Sequence, residues 1–307
     1  VELLRTPDDR FDGLVDFEFE PHHAHVIAGD GTDTSIRVHY LDEGPRDGTT
    51  VLLMHGEPSW SYLYRKMIPP LVAAGCRCVA PDLVGFGRSD KPVLRSDHTY
   101  GRHVAWMSEA LFGHLDLDGV VMFAQDWGGL IGLRLLAAEP QRFAGAVISN
   151  TGLPLGTARI TDAFLAWQKF SQESPTFPIG RLVDGGTTRS LSADEIAAYD
   201  APYPDDTFTA GPRQMPSLVP TSADDPAHAD NVAAWDVLAR FDRPFVCAFG
   251  TNDPVTRGAD ARFRTVVLGA QGRDHPVIDG GGHFIQEDAP DVLADIVLGV
   301  VAEVKGA

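Results

Sequence analysis

The sequence predicts an α/β fold, with a mostly parallel central sheet flanked by helices and interrupted by an inserted helical segment. Three observations lead there. Short apolar runs of strand length recur at residues 51–54, 78–80, 120–123, 146–148, 245–249 and 276–278, and strands apolar on both faces belong to sheets covered on both sides. Helical periodicities lie between them, as at 104–112 and 292–304, which is the alternation of a parallel sheet wrapped by helices. That alternation then stops between about Gly152 and Asp230, a gap far beyond an ordinary loop.

Taken in order, the chain opens on a β-region, with strands at 24–28 and 36–40 around the turn Gly29-Asp30-Gly31. After Gly44-Pro45 the strand and helix pattern begins. Within 152–230, Pro, Asp, Ser and Thr are frequent, yet 163–167 and 193–199 carry helical patterns. The expected division is therefore a core at 1–151 and 231–307 with a helical cap at 152–230. A cap of this kind would close a pocket over the C-terminal edge of the sheet.

Bulk properties exclude several function classes. The chain has 307 residues, 44% of them hydrophobic, enough for one large core carrying a smaller insertion. Acidic residues exceed basic ones by 43 to 25, for a net charge of -18. That balance opposes nucleic acid, whose phosphates need clustered Lys and Arg, and it opposes anionic membranes. No stretch approaches the roughly 20 apolar residues of a membrane span, and residues 1–7 lack the pattern of a signal peptide. A soluble, cytoplasmic protein is expected, with a monomer favoured. Cys76, Cys78 and Cys247 suggest neither a disulfide framework nor a metal site, because no partner ligands follow at the required spacing. No cofactor is expected.

The segment Phe123-Ala124-Gln125-Asp126-Trp127-Gly128-Gly129 carries the chemistry. A strand runs into a Gly-rich turn and then a helix, the context of a nucleophile elbow, where small residues relieve a crowded backbone. Asp126 occupies the nucleophile's place, and Ala124 replaces the first small glycine. A serine attacking a saturated carbon would leave an ether that water cannot readily cleave. A carboxylate leaves an ester with an electrophilic carbonyl. Asp126 therefore points to displacement at sp³ carbon. His55-Gly56-Glu57-Pro58-Ser59-Trp60 follows a neighbouring strand, from which a backbone N–H can complete an oxyanion site. Phe249-Gly250-Thr251-Asn252-Asp253-Pro254 and Gly280-Gly281-Gly282-His283-Phe284 follow the last two strands. Nucleophile, acid and histidine thus come in the order 126, 253, 283.

These segments resemble the haloalkane dehalogenase family of the α/β-hydrolase superfamily, from about Val51 to the C-terminus. The resemblance implies that Asp126 displaces halide to form an alkyl ester, and that His283, oriented by Asp253, activates water to cleave it. It implies that the N–H groups of Glu57 and Trp127 hold the oxyanion, and that the Glu57 side chain lies near the hydrolytic water. It also implies two halide donors. The first is the Trp127 indole; for the second, Glu57 stands where some members carry an Asn, so the cap residue Trp167 is expected. The substrate would be a small halogenated alkane, with water as co-substrate and halide as product.

Blander roles are open to each residue. A lone cap tryptophan is more often packing than ligand, and Asn-Asp-Pro is commonly a mere turn. Epoxide hydrolysis is the rival chemistry, and needs an acid for the departing alkoxide, for which Tyr199 or Tyr203 could serve. A fluoroacetate dehalogenase would need a cation for the substrate carboxylate, with Arg159, Arg181 and Arg189 as possibilities. A noncatalytic binding protein of the same fold is a third alternative.

Overall fold

The computed structural model describes residues 1–158 and 160–306; Arg159 lies outside them. Its centre is a seven-stranded sheet built from β1 (His22–Ile27), β2 (Ser35–Glu43), β3 (Thr49–Met54), β4 (Cys76–Pro81), β5 (Val120–Gln125), β6 (Phe143–Ser149) and β7 (Phe245–Cys247), in the order β1-β2-β4-β3-β5-β6-β7. β1 pairs antiparallel with β2, and β2 antiparallel with β4. Every pairing from β4 onward is parallel. A short parallel pair, β8 (Phe249–Gly250) with β9 (Val277–Ile278), follows.

The apolar runs form central strands because both of their faces are covered. In β3 and β5 the side chains alternate: Leu52, Met54, Val120 and Met122 join one hydrophobic cluster, while Leu53, Val121 and Phe123 join another on the opposite face. The first cluster is completed by Trp106 of α1 (Tyr100–Ser108) and by Ile131 and Leu135 of α2 (Trp127–Ala138). Burying one such side chain contributes about 1.5–3 kcal/mol.

Between β6 and β7 the described residues hold helices and no strand: α3 (Asp162–Glu173), α4 (Ile179–Gly185), α5 (Ala193–Asp200) and shorter turns. Their starts are capped locally. Thr161 accepts from the Phe164 N–H, and Ser192 with Glu195 forms a reciprocal capping box at α5. The next helix, α6 (His228–Leu238), runs across position 230 and seats Trp235 and Leu238 in the first cluster.

Two elements differ from the sequence expectation in detail. The helix expected at 104–112 is α-helical only to Ser108 and continues as a π-helical segment, Glu109–His114, in which the Leu115 N–H reaches the Ala110 carbonyl. The wider turn keeps Ala110, Leu111 and Phe112 buried. The strand expected at 245–249 breaks at Ala248, whose N–H bonds Ile148, so that Phe249–Gly250 turns away to pair with Val277–Ile278. Both site-bearing loops at 253 and 283 leave from that short pair. The final helix, α8 (Pro290–Gly306), follows the short helix α7 (Ile285–Asp288), and packs Leu293, Val297 and Val301 against the second cluster.

Candidate active site

The sharp turn from β5 into α2 places Asp126 at φ 50°, ψ -126°, a region that non-glycine residues enter at a cost of about 1–3 kcal/mol. The turn is possible because its neighbours lack side chains. A Cβ on Gly128 would stand 2.0 Å from the Met54 carbonyl oxygen, and one on Gly56 would stand 2.4 Å from Asp126 Oδ1. With hydrogens there instead, the Glu57 N–H donates to Asp126 Oδ1 at 2.8 Å. Trp127 is the first residue of α2, so its N–H belongs to the helix N-terminus beside the same carboxylate.

The loop bearing Glu57 is itself fixed. Buried His55 donates from Nδ1 to the Gly56 carbonyl at 2.9 Å and accepts at Nε2 from the Leu83 N–H at 2.9 Å. Burial lowers its pKa, against the opposing charge of Asp82, and this holds it in the neutral form that both bonds require.

His283 stands between two carboxylates. Its Nδ1 is 3.2 Å from Asp253 Oδ2, and its Nε2 is 3.6 Å from Asp126 Oδ2. Burial opposes its charge, but Asp253 and Asp126 outweigh that and lift its pKa well above the ordinary value. Asp253 is fully buried. Burial raises its pKa, yet the His283 charge and hydrogen bonds from His283, Thr256 and the Val255 N–H bring it down to about 2.

Glu57 turns its carboxyl inward. Oε2 accepts from the Trp167 indole N–H at 3.2 Å, and Oε1 is buried without a hydrogen-bond partner among the described residues. Burial first, and then the Asp126 charge, push this carboxyl well above the usual range; the Trp167 bond and His283 pull the other way. Trp167 lies close to Phe170 and Phe177, at ring separations of 5.8 and 5.7 Å.

A cavity of about 730 Å³ collects these groups. Glu57, Asp126, Trp127, Trp167 and His283 all line it, with Leu130 and Phe164 among its apolar wall. Asp253 sits behind His283 rather than on the wall. The six residues singled out in the sequence are therefore brought into one cluster. The alternatives scatter. Tyr199 donates to Glu287 at 2.5 Å, deep in the core, and neither it nor Tyr203 reaches the cavity, whose described lining contains no tyrosine. Arg189 is bound to Glu195 and Glu287. Arg181 lines the cavity but is exposed and paired with Asp184 at 3.8 Å.

Sequence reasoning missed Asn150. At the end of β6, with φ 39°, it gives its side-chain N–H groups to the carbonyls of Gly282 and His283 at 2.7 and 3.1 Å, while its Oδ1 accepts from the Gly250 N–H at 2.9 Å. Its own carbonyl accepts from the Asp126 N–H at 3.0 Å. One asparagine thus joins the segments that bear Asp126, Asp253 and His283. The available signal was the polar run Ser149-Asn150-Thr151 ending an apolar strand.

The sheet order, the elbow and its partners define an α/β hydrolase, and a family model described as alpha/beta hydrolase fold matches residues 49–290. The chain is 51% identical over 298 residues to the haloalkane dehalogenase of Psychrobacter cryohalolentis, covering 97% of each. It is 49% identical to that of Mycolicibacterium paratuberculosis, covering 97% of this chain and 98% of the relative. A solved structure, the tetrameric haloalkane dehalogenase DpaA from Paraglaciecola agarilytica NO2, superposes with a TM-score of 0.88 at 35% identity, covering 97% of this chain and 98% of that one. The chain belongs to the haloalkane dehalogenase family, hydrolases that act on carbon–halide bonds.

Proposed function

We propose that this protein hydrolyses small haloalkanes to an alcohol and halide through an ester on Asp126. The observation that carries this is the Asp126 carboxylate, with one oxygen on the Glu57 N–H and the other facing His283, in a cavity that also contains Trp127 and Trp167. Asp126 Oδ2 attacks the halogen-bearing carbon as the carbon–halogen bond breaks. The halide leaves towards the indoles of Trp127 and Trp167, which donate without bringing a competing charge. His283 Nε2 then takes a proton from water, whose oxygen adds to the Asp126 carbonyl carbon. The N–H groups of Glu57 and Trp127 stabilise the oxyanion. Collapse releases the alkoxide, which takes the proton from His283, and the Asp126 carboxyl, which keeps the second hydrogen of the water, loses that proton to solvent and returns as carboxylate. Asp253 holds the imidazole and balances its charge.

Residues 152–230 act as the cap in this proposal, with residues 1–151 and 231–307 as the core. Phe164, Trp167 and Leu182 on the cavity wall support it. The proposal takes the monomer as the working unit.

The lack of a tyrosine on the described lining disfavours epoxide opening, which needs a proton donor for the alkoxide. The test is halide release from a bromoalkane measured beside diol formation from an epoxide of similar size. Halide without diol is expected; diol without halide would reverse the assignment.

A further inference from the structure

The second indole of the proposed halide seat is already occupied by a carboxyl group of the protein itself. Trp167 Nε1 donates to Glu57 Oε2 at 3.2 Å. The same indole N–H must face the halide if the seat is to have two donors, and sharing it between a carboxylate and a halide would hold two like charges together in a buried pocket. The two partners differ in freedom. The indole is packed beside Phe170 and Phe177. The Glu57 carboxyl is tethered on one side only, since Oε1 is buried without a partner among the described residues.

Resting on the halide seat proposed above, we infer that the Glu57 carboxylate is a built-in competitor for the Trp167 N–H, yielding it when halide arrives and expelling the product when it takes the donor back. The charged and titratable groups facing Glu57 sharpen this competition. Asp126 comes from the elbow and repels a carboxylate and a halide alike, and His283 comes from its own loop and attracts both. The buried Tyr203 hydroxyl responds to the Glu57 charge from the cap. With the halide on the indole, an ionised Glu57 would face a second anion in a buried pocket, so halide binding is accompanied by proton uptake on Glu57. Proton release from Glu57 then accompanies halide departure. This fits the burial and the Asp126 charge that already disfavour the ionised form. No further reactant is needed, because haloalkane hydrolysis itself yields one proton with each halide.

The experiment is bromide titration of the whole enzyme across pH, by calorimetry in buffers of different ionisation enthalpy and by tryptophan fluorescence. Wild type should take up about one proton per bromide, with Kd rising towards about tenfold per pH unit once Glu57 ionises. Glu57→Gln should flatten that dependence and bind bromide more tightly, by about tenfold or more at about pH 8. His283→Phe should retain the slope, because the coupled proton is not its own. Trp167→Phe, which removes the contested donor, should bind weakly and lose the slope. A slope that survives in Glu57→Gln, or one that disappears in His283→Phe, would overturn the inference while leaving the halide seat intact. Wild type that fails to bind bromide at any pH would overturn the seat and the inference together.

Discussion

His283 Nε2 lies 3.6 Å from Asp126 Oδ2, beyond hydrogen-bond reach. In a serine hydrolase the histidine must touch the nucleophile, because the hydroxyl needs a base. A carboxylate brings its own lone pairs, so in the proposed mechanism this imidazole serves only the second step. The mechanism proposed above thus separates alkylation, by Asp126 and the halide donors, from hydrolysis, by His283.

His283→Phe should give one equivalent of halide and then stall, with steady-state turnover reduced by about 10²–10⁴-fold. Mass spectrometry of the stalled enzyme should place the alkyl group on Asp126. An unmodified enzyme after the burst, or a label elsewhere, would reject the assignment.

The histidine should titrate differently in the two halves of the cycle. Asp253 and Asp126 both raise its pKa in the free enzyme, against burial. Esterification removes the Asp126 charge, so the pKa should fall just when a neutral base is required. NMR titration of His283 should give a midpoint well above 6.5 in wild type, and Asp126→Asn, a neutral analogue of the ester, should lower it. Asp253→Asn should lower it as well. An unchanged midpoint in both variants would show that the carboxylates do not control this group.

Acid sensitivity should come from a pair of buried histidines that do not line the cavity. Buried His98 donates from Nε2 to the Pro92 carbonyl at 3.2 Å, which leaves its Nδ1 to accept from His103 Nε2 at 3.2 Å. His103 Nδ1 is then the atom left unpartnered among the described residues. Burial lowers His98 to about 4 and pushes His103 well below its ordinary value. Both are depressed in the folded state, so the unfolded chain binds more protons as pH falls. Stability should hold above about 6.5 and decline from there towards about 4, at up to about 1.4 kcal/mol per pH unit for each histidine. Urea unfolding at a series of pH values checks this, and His98→Asn should shallow the decline.

A buried ion cluster ties the helical segment to the helix after the His283 loop. Arg65 donates to Glu287 at 2.5 Å and to Glu195 at 2.7 Å, Lys66 reaches Glu195 at 2.9 Å, and Arg189 bonds both carboxylates. Glu287 also accepts from Tyr199. Glu287→Leu would leave the buried Arg65 without its main partner, and should destabilise the protein by about 3–5 kcal/mol. Denaturant unfolding measures this. A loss under about 1 kcal/mol would mean that Glu195 alone satisfies the cluster.

The amino-acid sequence by itself determined the doubly covered parallel sheet, because strands buried on both faces must be apolar throughout, and β3 and β5 show that alternation in their two clusters. It also determined the elbow. An acidic residue between an apolar strand and an apolar helix is conspicuous, and the glycines around Asp126 are required by contacts as close as 2.0 Å. Asp253, His283 and the Glu57 loop were legible for a related reason, since residues just past strand ends gather at one edge of such a sheet. Other features depended on contacts between residues far apart in the chain. Asn150 binds loops 100 and 132 positions away, and nothing local distinguishes it from a turn asparagine. The directions taken by Tyr199 and Trp167 were not legible: both sit on polar-flanked helices between β6 and β7, and only packing sends the Tyr199 hydroxyl to Glu287 and the Trp167 indole to Glu57. Local pattern encodes which faces are buried, whereas the direction of a buried donor is set by whichever distant acceptor the finished fold brings against it.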